Sequence, residues 1–310
     1  MKRTILLWLC LLMICGGALA AEDFPPLNEQ GFLDEGEFLY ESEEEGIWRY
    51  CGQSLWVEIT RRSQAKPKLT WFEAEVRSTP DSLWHMVPAK PEDRWKGDEY
   101  PYKIARTNRT VLAINSDFAQ LRMKQRKRVG IIIRDGEIVS DKTLAKNKGT
   151  FPNLDTLALY PDGNMAVFAS NELKAKEYLE QGATDVLAFG PWLIRDGQAN
   201  SAGLKKYGTT RAPRAGIGMV EPGHYWAIMI EGRNSRSNGA SVAALGQLLL
   251  DKGCQVGFNV DGGQTCAMVF MGRQLCLMLN ASNRKISARR TAEILGIGVS
   301  DLVAAPTDPF

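Results

Sequence analysis

Apolar and polar positions alternate over much of the chain after Ile47. Leu55, Val57 and Ile59, then Phe72, Ala74 and Val76, repeat at every second residue, the pattern of half-buried strands. Val111–Ile114 is a continuous apolar run that predicts a buried strand ending in Asn115-Ser116-Asp117. Three hairpins are marked by turn chemistry: Val129–Ile133 through Asp135-Gly136 to Ile138-Val139, Leu157–Tyr160 through Pro161-Asp162-Gly163 to Met165–Phe168, and Ala215–Val220 through Glu221-Pro222-Gly223 to His224–Ile230. Helices are expected from Asn171 to Gln181 before Gly182, and over Ser241–Leu250, started by Ser237 or Asn238 and closed by Lys252-Gly253. Val186–Phe189 predicts a strand leading into Gly190-Pro191. The proline-rich stretch 79–103 is expected to be a long surface connection. These elements predict one α+β (mixed α/β) domain over 47–310: a twisted, largely antiparallel or mixed sheet with covering helices and a site at strand ends.

Two N-terminal segments stand outside that domain. Lys2 and Arg3 precede the apolar run Ile5–Ile14 and the small-x-small triplet Ala18-Leu19-Ala20, so residues 1–20 are expected to be a cleaved signal peptide and the mature protein secreted or periplasmic. The later sequence has no stretch long and apolar enough to predict a stable membrane span. Residues 22–46 carry ten acidic and no basic residues, which predicts a solvated arm. The whole chain has 38 Lys and Arg against 36 Asp and Glu, and losing Lys2 and Arg3 leaves it neutral. That balance argues against nucleic-acid binding, which needs concentrated positive charge. The cluster Lys124–Arg128 is read first as a charged loop and second as an attractor of anions. Signal cleavage would leave Cys51, Cys254, Cys266 and Cys276, an even set that admits one or two disulfides in an oxidising compartment. No Cys-x-x-Cys pair or Cys/His pair at ligand spacing supports zinc.

Candidate chemistry concentrates at Gly257-Phe258-Asn259-Val260-Asp261-Gly262-Gly263-Gln264-Thr265. A strand ending in polar residues and followed by paired glycines brings a carboxylate and flexible backbone to one place. Alone, Asp-Gly-Gly is more often a turn than a site. Upstream, Arg211-Ala212-Pro213-Arg214 opens one strand of a hairpin whose partner ends at Glu231-Gly232-Arg233, so two arginines and a carboxylate gather at its open end. Arginine stays ionised and binds phosphate through a planar fork, which suits an anionic substrate; a surface salt bridge from Glu231 to Arg214 or Arg233 is the plainer reading. A Ser-His-Asp hydrolase is poorly served, because His85 and His224 are the only histidines and no Gly-x-Ser-x-Gly elbow occurs.

The ordered blocks Ala113-Ile114-Asn115-Ser116-Asp117-Phe118, Gly190–Gly197, Arg211–Gly218, Ile230–Arg233 and Phe258–Gly263 resemble the phosphodiester glycosidase family over roughly residues 100–280. Glu231 stands where the family commonly has Asp, and Gln264-Thr265 where it commonly has Gly-Ser. The resemblance implies cleavage of the sugar C1–O bond of a sugar-1-phosphodiester in a glycan or envelope polymer, releasing sugar and a phosphomonoester. It implies Asp261 as nucleophile or base, with Glu231 and Asp117 as candidates for a second carboxylate. Arg214 and Arg233 would hold phosphate. Asn115, Asn259 and Thr265 would bind sugar hydroxyls or orient carboxylates, and backbone N–H groups of Gly262 and Gly263 would add donors. No cofactor is required; a Ca²⁺ or Mg²⁺ ion on Asp117, Glu231 or Asp261 is compatible with oxygen ligands. The partner would be a phosphorylated glycan. The rival expectation is a non-catalytic secreted protein that binds glycans or assembles an exopolysaccharide or envelope on the same fold.

Overall fold

The computed structural model describes residues 24–91, 97–117, 130–142, 154–206, 209–279 and 284–307. The signal-peptide expectation and the Lys124–Arg128 cluster lie outside the described residues. Three antiparallel sheets form the body. The largest has nine strands, in the order Phe38–Ser42, Ile47–Cys51, Leu55–Gln64, Leu69–Ser78, His224–Ile230, Arg214–Glu221, Val256–Val260, Trp192–Arg195 and Gln198–Ala199. A second sheet runs Met165–Phe168, Asp155–Leu159, Asp185–Phe189, Gly130–Arg134, Glu137–Lys142. The third runs Arg273–Gln274, Met268–Phe270, Thr110–Asn115, Glu293–Val299, His85–Pro88.

All three sheets turn one face toward a shared core, and strand alternation decides which side chains enter it. Leu112, Ile114, Met268 and Phe270 of the third sheet meet Leu157, Leu159 and Leu187 of the second and Phe72, Ala74, Ile217 and Phe258 of the largest. The intervening residues face a helix. Ile228, Ile230, Leu193 and Ile194 pack on Val242, Leu245 and Leu249 of helix Val242–Asp251. Ile131, Ile133 and Val186 pack on Ala175 and Tyr178 of helix Ala175–Glu180, and Ala113, Val269 and Ile294 on Tyr102, Ile104 and Ala105 of helix Pro101–Thr107. Central strands covered on both faces read as unbroken apolar runs, which is why Val111–Ile114 lacks alternation. The fold is more sheet-dominated than the mixed α/β expectation, with short helices serving as covers.

Several local expectations change. The acidic segment is not wholly a solvated arm: Phe38–Ser42 pairs with Ile47–Cys51 as an edge strand, and Phe32 and Leu33 are buried. Apolar residues spaced among the acids give that segment something to bury, and the charges stay outside. The 79–103 connection contains the edge strand His85–Pro88, with Met86 and Val87 buried, and the start of helix Pro101–Thr107. Helix 175–180 begins later than Asn171, because the Glu177 carboxylate accepts the Lys174 N–H at 2.6 Å and closes the N-terminus there. Ser241, whose Oγ accepts the Ala244 N–H at 3.1 Å, caps the helix assigned to Ser237 or Asn238. The four described cysteines are free and buried, so the disulfide expectation is not met. Each of three thiols instead faces a carbonyl at 3.7–3.8 Å: Cys51 that of Gly52, Cys266 that of Asp261 and Cys276 that of Cys266.

Candidate active site at the strand ends

The candidate site is a consequence of register. Arg214 pairs with Ile230, and Ala215 pairs with Val260, so the start of one strand and the ends of its two neighbours lie side by side. Arg214, Glu231 and Asp261 therefore leave the nine-stranded sheet at the same edge. The third sheet delivers Asn115 to this place. Its Nδ2 donates to the Asp261 carbonyl at 2.7 Å, its Oδ1 accepts the Ala267 N–H at 2.9 Å, and the Ser116 carbonyl accepts the Asp261 N–H at 3.1 Å. Asn115 is fully buried, and its carboxamide is used to hold the Asp261 backbone.

The turn after Asp261 is tight. The Gly262 N–H donates to Asp261 Oδ1 at 2.8 Å and the Gly263 N–H to the Pro213 carbonyl at 3.0 Å, so the two N–H donors expected to face a substrate already have protein acceptors. Gly263 has φ +66°, a conformation glycine adopts without steric cost. The cations lie here instead. A Cβ on Gly262 would stand 3.7 Å from Arg214 Nη1, and one on Gly263 would stand 3.7 Å from Arg233 Nη1. Arg214 is half-buried and anchored through Nε to the Ala240 carbonyl and through Nη2 to that of Thr210, at 3.1 and 2.9 Å. Neither arginine forms a salt bridge among the described residues. Burial, with repulsion from Arg233 adding to it and Cys266 opposing, lowers the Arg214 pKa.

Glu231 is also buried at this edge, but its carboxylate is occupied. Oε1 accepts from Arg236 Nη2 and from the Leu277 N–H at 2.7 Å; Oε2 accepts from Arg236 Nε at 3.1 Å and Asn234 Nδ2 at 3.2 Å. Ser237 Oγ donates to the Glu231 carbonyl at 2.6 Å. The expected bridge to Arg214 or Arg233 is replaced by one to Arg236, and the loop closes around its own carboxylate. Gly232 makes the fit possible, since a Cβ there would lie 2.8 Å from Gly239 Cα and 2.9 Å from Pro213 N. Arg233, held at φ +59°, is exposed beyond it. Asn259 Nδ2 donates to the Gly190 carbonyl at 2.7 Å, which ties this strand to the second sheet's exit. Asn259 Oδ1 and Thr265 Oγ1 are buried with no hydrogen-bond partner among the described residues.

Asp117 departs from the group. Its carboxylate pairs with Arg134 at 3.1 Å in a buried cluster that also contains Glu293, 2.7 Å from the same guanidinium. Arg134 Nη1 donates to the Ile133 and Val186 carbonyls at 2.8 and 2.7 Å. Burial alone would lower the Arg134 pKa, but the Glu293 and Asp117 carboxylates outweigh it and the net shift is upward. Asp185, also close to Arg134, is pushed up to about 6, chiefly by burial, against the pull of Arg134. The residue-level reading missed Arg134 and Glu293; a charged residue directly after Gly130–Ile133, a run too apolar to be an edge, was the available signal. Among the described residues no three His, Cys, Asp or Glu side chains converge as metal ligands. Among the described residues Asp117 and Glu231 are each paired with an arginine.

A family model described as "Phosphodiester glycosidase" matches residues 108–298. The chain belongs to the phosphodiester glycosidase family. That match contains every residue of the site described above. A curated relative, the SPbeta prophage-derived uncharacterized protein YomE of Bacillus subtilis strain 168, is 28% identical over 174 residues, which is 56% of this chain and 26% of that protein. The chain thus spans about a quarter of that relative's length. The fold is shared with the catalytic domain of zebrafish N-acetylglucosamine-1-phosphodiester α-N-acetylglucosaminidase auto-inhibited by its pro-peptide, at TM-score 0.61 and 17% identity over 84% of this chain and 87% of that one. It is also shared with a putative exported protein of Burkholderia pseudomallei, at TM-score 0.51 and 12% identity over 74% of each chain.

Within this phosphodiester glycosidase fold, the Arg134 cluster has a measurable pH signature. An unfolded aspartate titrates near pH 3.9, whereas folded Asp185 keeps its proton to about pH 6, so its contribution to stability is complete below the lower value and is lost as pH rises through the upper one. Asp185→Asn keeps the neutral form at every pH. Its unfolding free energy from urea titration should rise relative to wild type between pH 4 and 7, by on the order of 2 kcal/mol at the upper end. Parallel midpoint curves for the two proteins would remove Asp185 from this account.

Proposed function

We propose that this protein hydrolyses the C1–O bond of a sugar-1-phosphodiester and leaves the phosphate on the other alcohol as a phosphomonoester. The observation that carries the reading is the convergence of Arg214 and Arg233 on the Gly262-Gly263 turn directly after Asp261, in a chain of the phosphodiester glycosidase family. Two guanidinium groups without carboxylate partners among the described residues suit a phosphodiester anion, and they would stabilise it more as the leaving oxygen gains charge. Asp261 would act on the anomeric carbon. As base it takes a proton from the attacking water while the water oxygen bonds to C1 and the C1–O electron pair leaves with the phosphate. As nucleophile it first forms a glycosyl ester, which water then hydrolyses. Both routes yield free sugar and a phosphomonoester. A phosphate departs without a strong general acid, which accords with Asp117 and Glu231 being engaged elsewhere.

Asn115 and Glu231 are positioning residues in this scheme. Asn115 fixes the Asp261 backbone, and Glu231 shapes the loop that carries Arg233. The N-terminal pattern of residues 1–20 supports export, where a glycan or envelope polymer would be the substrate. A second reading, glycan binding without turnover, draws on the same engagement of Asp117 and Glu231 with Arg134 and Arg236.

The test is product analysis by mass spectrometry after incubation with a panel of sugar-1-phosphodiesters. Wild type should release sugar plus phosphomonoester, and Asp261→Asn should reduce kcat by about 10³-fold or more while keeping the wild-type urea midpoint. Arg214→Ala and Arg233→Ala should each lower kcat/KM by roughly 10- to 100-fold, the loss expected for a charge-assisted hydrogen bond. A panel that stays intact while one member binds would replace hydrolysis with the binding reading.

A further inference from the structure

A cavity of about 710 Å³ opens beside the candidate site, with Gln264 in its wall. Tyr100 and Tyr102, at the start of helix Pro101–Thr107, form one side, and the segment Lys285–Arg290 forms another. The wall is built from fixed parts. The two phenol rings stack at 5.9 Å with 15° between their planes, Arg290 lies over Tyr100 at 5.7 Å, and Arg106 lies over Tyr102 at 4.9 Å. The Arg289 N–H donates to the Gln264 carbonyl at 2.8 Å, and the Ala288 N–H to Gln274 Oε1 at 2.8 Å, which fastens the segment to the turn that follows Asp261. Arg290 is offset by Asp98 at 3.3 Å and Glu99 at 3.7 Å. Arg289, half-buried in the same wall, has no carboxylate partner among the described residues.

The order along the turn gives the cavity its meaning. Asp261 would meet the anomeric carbon, Gly262 and Gly263 have Arg214 and Arg233 beside them, and the next residue, Gln264, already lines the cavity. A phosphodiester with its sugar at Asp261 and its phosphate at the arginines has its second substituent directed at that opening. We infer that the cavity is the subsite for the alcohol side of the substrate, and that it selects a ring-bearing group carrying its own phosphate. This inference rests on the phosphodiester reading of Asp261, Arg214 and Arg233. The volume lies within the range of small-molecule sites and suits a group the size of a phosphorylated sugar or a nucleoside. Aromatic walls favour a ring, and Arg289 supplies a cation for a second anion. A further sugar phosphate of a repeating polymer and a nucleotide share this chemistry.

The experiment compares four substrates with the same reacting sugar: its methyl phosphodiester, its phosphodiester to a second sugar, the latter bearing an added phosphate, and its nucleoside diphosphate. Wild type should show kcat/KM at least about tenfold higher for a phosphorylated ring than for the methyl compound. In Arg289→Ala the ratio for the phosphorylated ring should fall toward that of the unphosphorylated ring, and in Tyr100→Ala it should fall for all three ring compounds. Preference for the disaccharide phosphate assigns the cavity to a polymer, and preference for the nucleoside diphosphate assigns it to a nucleotide; both support the subsite. Equal kcat/KM across the series, unchanged in Arg289→Ala, overturns it and leaves hydrolysis standing. Calorimetric binding of the same compounds to Asp261→Asn separates the two ideas. Binding that weakens tenfold on adding Arg289→Ala, with no turnover of any compound by wild type, removes the hydrolase reading and retains the subsite.

Discussion

Asp261 sits between two sheets that share no strand, and three hydrogen bonds determine where. The Asn115 carboxamide and the Ser116 carbonyl hold its backbone, and the same carboxamide accepts the Ala267 N–H that begins the return to the third sheet. Buried amide bonds of this kind add modest net stability, yet leaving one partner unsatisfied costs more than the bond contributes. The constraint is therefore strongly directional. Moving the Thr110–Asn115 strand by one residue would break all three bonds, leaving three donors and three acceptors unpaired, and carry the turn away from Arg214.

Much of the site was legible because register does most of the assembly. The hairpin turn at Glu221-Pro222-Gly223 set the pairing that brings Arg214 opposite Ile230, and the Asn-Val-Asp-Gly-Gly block marked the neighbouring strand end. What did not show was the commitment of each polar group. Glu231 reads as a reactive carboxylate until Arg236 and Asn234, only a few residues later, fold back on it. Asp117 reads the same way until Arg134 arrives from another sheet, seventeen residues away in sequence. The edge strands Phe38–Ser42 and His85–Pro88 escaped notice because their charged and proline-rich flanks outweighed a few apolar residues, although tertiary contacts overrule such local signals. An even number of cysteines in an exported chain predicts pairing, whereas packing buries the four thiols singly.

The Arg134 cluster shows how the body tolerates charge where it is otherwise most apolar. One guanidinium satisfies Asp117, Glu293 and two carbonyls at once, and its planar fork suits that many acceptors in fixed directions. Replacing buried ion pairs by apolar groups is often neutral, but removing a single member leaves an uncompensated charge. Asp185 is the surplus acid of this arrangement, and protonation relieves it. The cluster connects the second and third sheets behind Ser116, so its electrostatics and the placement of Asp261 share a backbone.

The self-closed loop from Glu231 to Ser237 carries a kinetic implication. Its hydrogen bonds tie Glu231 to Asn234 and Ser237, and Arg233 is held in a backbone conformation uncommon for a side chain with a Cβ. The entropy lost in ordering that loop falls on folding, before any anion arrives. On the proposed phosphodiester reading, the anion would then require only the guanidinium rotamers to settle, so capture would proceed at the pace of diffusion and side-chain rotation instead of waiting for a loop to close.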